Sequence, residues 1–389
     1  MFGRLRFSRL TRSLLVLSSY LLIVVARGWR GLDQIPSDPG YDYIWLRARD
    51  GFRILEVKPY LYIDQSLLAS LGALLPTDWR GIFLSIASHA VWAVCAFTSF
   101  TVFLHHGFSF MRSYISGILL VAVPWAAQSA IGNYGNIRWP ILVAAAIVIS
   151  AEVAHQRPRI LPMTLASVAV TVSNPLHPLL LAPLFIGALL LAAEHRKSLL
   201  IPAAPLVIGL ITNLLNAQTG GHSSRITSFW DGAGLFWISG QLLPVSISVA
   251  GIAIAAWKLR VAVPQRIFVL CLLTMVLLIV VASYQLGGIA DRYFVAPSAL
   301  AFISVSVLLE SVPLRHKLTN RIVASILAVA LLVPTVRWFF VFPYLRSAPG
   351  WSTQIGDARQ QCLDGGISSF QVLTSDGQTM TDSISCEDL

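Results

Sequence analysis

Residues 266–285 read RIFVLCLLTMVLLIVVASYQ, twenty residues whose only charge is the opening arginine. The hydrocarbon core of a bilayer is about 30 Å thick and takes roughly 20 apolar residues to cross as a helix. The run is continuous rather than alternating, so it reads as a helix and not as a strand of a membrane barrel. Working outward from it, similar runs occupy 12–28, 80–104, 113–130, 138–153, 160–174, 176–194, 199–216, 234–257, 292–310 and 321–343, making about eleven spans. The expected fold is therefore an all-α polytopic membrane protein. The whole chain agrees: of 389 residues 56% are hydrophobic and 12% charged, with a mean hydropathy of +0.72, against about 25% charged in an ordinary soluble domain.

The net charge of +10 would point to nucleic acid in a soluble protein; here it is a topology signal, and no nucleic-acid partner is expected. Arg4, Arg6, Arg9 and Arg12 precede the first span with no acid among them, which places the N-terminus inside as a retained signal anchor. Stepping through the spans, the inside connections carry Arg112, Arg157 and Arg159, Arg196 and Lys197, Lys258, Arg260 and Arg266, and Arg315, Lys317 and Arg321. An odd number of spans puts the C-terminus outside. Fifteen of the 18 Asp and Glu then lie on the external side, the exceptions being Glu152, Glu194 and Glu310 near inside ends. Carboxylate chemistry is thus expected on the outer face.

Two units follow, a transmembrane module over 1–344 and a small external tail over 345–389. The first external loop, 29–79, is far longer than a connection needs and combines Asp33, Asp38, Asp42, Asp50, Glu56, Asp64 and Asp78 with Tyr41, Tyr43, Trp45, Tyr60 and Tyr62. Carboxylates interleaved with aromatics suit sugar contact. Within the loop, 59–76 sets Leu61, Leu67, Leu68, Leu71, Leu74 and Leu75 largely on one side of a helix lying along the interface. In the tail, Cys362 and Cys386 are expected to pair in an oxidising space, while Cys95 and Cys271 lie in apolar spans as packing residues. A third external loop at 217–233 contains Gly220, Gly221, His222, Arg225, Trp230 and Asp231. The eight histidines are scattered, with no ligand-spaced cluster.

Near the end of the module stands Asp291-Arg292-Tyr293-Phe294-Val295-Ala296-Pro297, with Arg292 at a membrane boundary where a guanidinium pairs bidentately with phosphate. With the basic N-terminus, the acidic first loop with its interfacial helix and the number of spans, this stretch resembles the GT-C glycosyltransferases, which take sugars from polyprenyl-phosphate carriers on the outer face. Lys58-Pro59-Tyr60-Leu61-Tyr62, and Trp351 followed by Ala358, Cys362 and Cys386, look like bacterial polysaccharide-biosynthesis relatives. The resemblance implies a catalytic carboxylate early in the first loop acting as general base on the acceptor hydroxyl. Asp42 ranks first for its aromatic neighbours, then Asp38, then Asp33. It further implies Arg292 and Tyr293 on the donor phosphate with Lys58 and Arg225 completing the pocket, and Tyr43, Glu56, Tyr60, Asp64 and Asp291 on substrate. The implied partners are a polyprenyl-phosphate sugar donor, a glycan or glycolipid acceptor and the lipid bilayer of a bacterial plasma membrane. No cofactor is certain, and a divalent Mg or Mn ion is left open. The chain has no nucleotide-binding loop, no HExxH and no Asp-x-Asp, which disfavours ATP-driven transport, zinc hydrolysis and soluble nucleotide-sugar donors. The rival reading is a polysaccharide polymerase or a flippase of lipid-linked glycan, for which only His89, Gln128 and Asn213 offer polar groups in or near spans.

Overall fold

The computed structural model describes residues 9–28, 32–33, 63–121, 136–155, 158–174, 176–191, 196–217, 261–285, 295–310, 318, 321–322, 324–325, 328–329, 349–373 and 383–389. The protein is mostly helical. Eleven helices stand among the described residues: α1 (Arg9–Gly28), α2 (Ile63–Ala73), α3 (Thr77–His105), α4 (Phe110–Val121), α5 (Arg138–Ala154), α6 (Ile160–Ser173), α7 (His177–Leu191), α8 (Arg196–Ala217), α9 (Val263–Gln285), α10 (Val295–Glu310) and α11 (Trp351–Leu363). Nine coincide with expected spans; α2 and α11 lie in the first loop and the tail. The expected spans at 234–257 and most of 321–343 lie outside the described residues. Among the described residues two helices, Thr77–His105 and Val263–Ala282 within α9, are long and apolar enough to cross a membrane by length and composition.

Burial sorts the helices into a centre and a periphery. In α5 every residue from Trp139 to Ala154 except Ile141 is buried, and α10 is buried from Val295 to Leu308. A helix apolar all round belongs in the middle of a bundle. The outer helices instead turn large apolar side chains outward: Leu161 and Leu165 on α6, Leu200 and Ile208 on α8, Leu270 and Leu277 on α9 are each at least 60% exposed. An outward apolar face of that kind marks a surface suited to protein or membrane contact.

Two local devices fix the ends of α3 and α5, and with them the polar groups described below. Helix α3 stops at Gly107, which takes the left-handed φ of +83°. The Phe108 N–H then donates to Phe103 O at 3.1 Å and the Gly107 N–H to Leu104 O at 3.3 Å, while the Phe103 and Phe108 rings meet with centroids 4.7 Å apart. This is a Schellman stop with its hydrophobic clasp. At the other junction the Arg159 N–H, an orphan donor at the start of α6, donates to Glu152 Oε2 at 2.8 Å.

The helix expected over 59–76 is described as Ile63–Ala73 and stops short of 76 at its C-terminal end, while residues 59–62 lie outside the described residues. It buries Gln65, Ser66, Ala69, Ser70 and Gly72 and leaves Leu71 exposed, with Leu74 exposed in the turn that follows. The small and polar side faces α3 and α6, and two of the leucines of the expected stripe are outside.

The tail is a compact unit on the outside of α2 and α3. Trp351 and Ile355 of α11 join Ala69, Leu84, Val372 and Ile384 in a second small core. Trp351 lies against Gly81, where a Cβ would strike its ring at 2.9 Å, and its Nε1–H donates to Thr77 O at 2.9 Å. Arg359 binds both oxygens of Asp78 at 2.8 and 2.9 Å. A two-stranded antiparallel ladder, β1 (Ser369–Phe370) with β2 (Ile384–Ser385), is registered Ser369 to Ser385. Cys362 and Cys386 form a disulfide across 24 residues.

Candidate functional site

Of the residues expected at the site, Asp33, Asp64, Cys362 and Cys386 are described. Asp38, Asp42, Tyr43, Glu56, Lys58, Tyr60, Arg225, Asp291, Arg292 and Tyr293 lie outside the described residues.

The structure gives Asp33 a specific place. Its Oδ1 accepts the Ser352 N–H at 3.1 Å, its Oδ2 the Ser352 hydroxyl at 2.5 Å, and its main-chain oxygen the Trp351 N–H. Helix α11 begins after Gly350, which supplies no capping side chain. Asp33 serves as the N-cap from more than 300 residues away, satisfying the orphan donors of the first turn. A Cβ at position 350 would collide with its carboxylate. Both of its oxygens are thereby engaged in joining loop to tail.

Asp64 stands differently. It opens α2, where one oxygen, Oδ1, accepts the following N–H of Gln65 at 2.8 Å. The other, Oδ2, has no accessible surface and makes no well-formed hydrogen bond among the described residues, the Ser173 hydroxyl being near it, although the residue as a whole is part-exposed. Burial pushes the carboxyl up to about 7, and the Gln65 N–H, the Ser173 hydroxyl and the positive field of Arg138 pull against it. Three further residues bring polar groups to this end of the bundle. Arg138 starts α5 with Nε buried and unpartnered, and its Cζ lies 5.5 Å from the centre of the Trp139 ring. Asn136, immediately before α5, buries Oδ1 without a partner. His177 starts α7, is 1% exposed, has neither ring nitrogen hydrogen-bonded, and lies 5.9 Å from Trp139 between ring centroids.

Buried polar atoms are nearly always hydrogen-bonded, and a group of them left without partners calls for an explanation. Here a carboxylate, a guanidinium, an amide and an imidazole share one end of the bundle, the end at which the first loop enters. Such a set can accept a proton, hold a phosphate or carboxylate, and orient a hydroxyl. Among the described residues the guanidinium stands with one carboxylate, whereas a hard divalent ion takes six or more oxygens or several waters. Among the described residues no group of three His, Cys, Asp or Glu is placed to hold a metal ion.

Arg138 and His177 escaped sequence reading because they stand 74 and 113 residues after Asp64, each at the mouth of an apolar run where a polar residue looks like an interfacial anchor. The usable signal was a pair of polar residues, Asn136 and Arg138, on a side expected to be poor in Lys and Arg.

The opposite end of α5 carries a second polar group. Glu152, whose side chain is 2% exposed, receives Arg159 Nε at 2.9 Å and Nη2 at 2.5 Å on Oε1. His106 Nε2 lies 3.5 Å from the same oxygen. His106 Nδ1 and His155 Nε2 are 3.0 Å apart, and His155 Nδ1 donates to Ala151 O at 2.9 Å. A cavity of about 310 Å³ beside the imidazoles is lined by Phe103, Phe108, Gln265 and Phe268. Compared with protein-family models and with curated proteins, the chain matches none.

Proposed function

We propose that the chain is a multi-spanning glycosyltransferase of a bacterial plasma membrane, moving a sugar from a polyprenyl-phosphate carrier to an envelope glycan, lipid or protein on the outer face. The membrane part of this reading is supported by the two long apolar helices and by the outward leucines of the peripheral ones. The basic inside connections orient it with the N-terminus inside and the C-terminus outside. One observation carries the chemistry: Asp64, Arg138 and His177 each have a buried, unpartnered atom, and Arg138 lies within electrostatic reach of both of the others.

In this reading the acceptor hydroxyl gives its proton to the Asp64 carboxylate as its oxygen bonds to the anomeric carbon of the donor sugar. The bond from that carbon to the phosphate oxygen breaks, and its electron pair leaves on the phosphate. Arg138 stabilises the developing charge, joined by Arg292 and Tyr293 on the expectation drawn from the GT-C resemblance. His177 orients the acceptor or the phosphate. A carboxyl raised to about 7 is a stronger base than an ordinary one once ionised, which suits proton abstraction near neutral pH. Asp42 and Asp38 belong to the same loop and are the competing bases.

The test is transfer by the purified full-length chain in lipid, with radiolabelled polyprenyl-phosphate sugars as donors and membrane glycolipid extract as acceptor. Label moves to the acceptor with the wild type and not with Asp64→Asn. Loss in Asp42→Asn or Asp38→Asn with Asp64→Asn active moves the base into the loop. No donor consumed, where an established enzyme of the type works in parallel, favours a polymerase or flippase.

A further inference from the structure

A second cavity, of about 770 Å³, runs along the side of the bundle between α3, α5 and α6. On α3 it extends from Ala90 to His105, about 22 Å at 1.5 Å per residue, longer than one leaflet of a bilayer whose hydrocarbon core is about 30 Å thick. Its floor is small and buried: Ala144 and Ala145 on α5, Cys95 on α3 and Ala166 on α6. Its rim is large, apolar and outward: Val94 is 54% exposed, Leu161 69% and Leu165 61%.

The groove offers almost nothing to a polar ligand along its length. The two threonines that line it are both satisfied within their own helix, Thr98 Oγ1 donating to Val94 O and Thr101 Oγ1 to Thr98 O, each at 2.9 Å. Only their methyl groups are left for an occupant. Polarity is concentrated at one end, where Arg159 and His105 stand at the mouth. Glu152 engages Nε and Nη2 of Arg159 and so fixes the guanidinium in place, but Nη1 has no partner among the described residues and the side chain is 40% exposed. The mouth also faces the start of α6, whose dipole favours an anion. The acid nearby, Glu152, is already taken up by Arg159 with His106 close by.

We propose that this groove binds one acyl chain of an anionic phospholipid, with the lipid phosphate on Arg159. The proposal rests on the membrane reading and not on the transferase reading. By the positive-inside orientation the lipid belongs to the inner leaflet, on the side opposite Asp64. The chain fills a slot that no described side chain of the protein fills, and the headgroup gives Arg159 its remaining partner.

The test uses the full-length chain purified in detergent with equal amounts of phosphatidylglycerol and phosphatidylcholine of the same chain length, followed by native mass spectrometry. The wild type retains phosphatidylglycerol in preference by about tenfold, the scale of one charge-assisted contact. Ala145→Leu or Ala166→Leu, which fill the floor without touching the ion pair, remove both lipids. Arg159→Gln keeps the chain in the groove and equalises the two headgroups. Equal retention of the two lipids by the wild type, or unchanged retention by both filled variants, overturns the proposal whether or not Arg159→Gln folds. Alkaline carbonate extraction of cell membranes separates the two failures: release of the chain into the supernatant overturns the membrane reading itself.

Discussion

Helix α5 ends in two polar clusters that are chemically alike and structurally opposite. At its last turn Glu152, Arg159, His106 and His155 are knitted into a network in which the carboxylate takes three bonds from one arginine. At its first turn Arg138, Asn136, His177 and Asp64 each leave at least one buried atom without a partner. The Glu152 carboxylate is fully engaged and holds helices together, since its partners are costly to separate, although His106 Nε2 is buried there without a hydrogen bond. A set incomplete within the protein waits for something else to complete it. The contrast gives Glu152 to architecture, leaves the outward side of Arg159 to a lipid at the surface, and gives the first-turn set to a ligand inside the bundle.

The largest effect expected from breaking that contrast is on chemistry. Asp64→Asn lowers transfer by about 10²–10⁴-fold, the usual loss for a general base, while thermal unfolding in detergent shows a folded protein. The same carboxyl makes a signed prediction about pH. Its folded value of about 7 lies above the ordinary 3.8, so the folded state holds the proton more tightly. The stability it contributes is full below pH of about 4 and is lost as pH rises through about 7. Melting temperatures across that window fall for the wild type and flatten in Asp64→Asn, whereas transfer rises over the same window as the base ionises.

The next effect is on stability, at the other end. Arg159→Ala strands the Glu152 carboxylate in the interior, which costs about 3 kcal/mol, read as a lower unfolding midpoint. A change small enough to be lost in error would mean that the network is decorative. Reducing the tail disulfide, or Cys386→Ser, costs about 3 kcal/mol of loop-closure stabilisation, confined to residues 349–389 and read as protease cleavage there while the bundle stays whole. The smallest is Asp33→Ala, about 1 kcal/mol for a lost helix cap, measured as faster nicking of α11.

Much of the bundle is legible from hydropathy alone, because burial in the centre and outward leucines at the periphery leave the same apolar runs. The partition between them is less so: α5 and α3 look alike as sequences, and only packing makes α5 central. The first loop's interfacial helix is readable from its leucines, yet the polar residues it buries, Gln65, Ser66 and Ser70, carry no periodic signal of their own. At the site, Asp64 stands out as one acid among seven in a loop. What separates it from Asp33 is that Ser352 occupies one and no well-formed hydrogen bond occupies the inner oxygen of the other, a difference set by residues far away in the chain.

The clasp between loop and tail also orders events in time. Trp351 reaches Thr77 across 274 residues, and at a synthesis rate of about 5–20 residues per second the partner arrives on the order of tens of seconds after the helix it covers. Until then the start of α3 and the face of α2 that meets Trp351 stand uncovered. An early segment of the chain is therefore among the last to mature, and a chaperone has that interval in which to hold it.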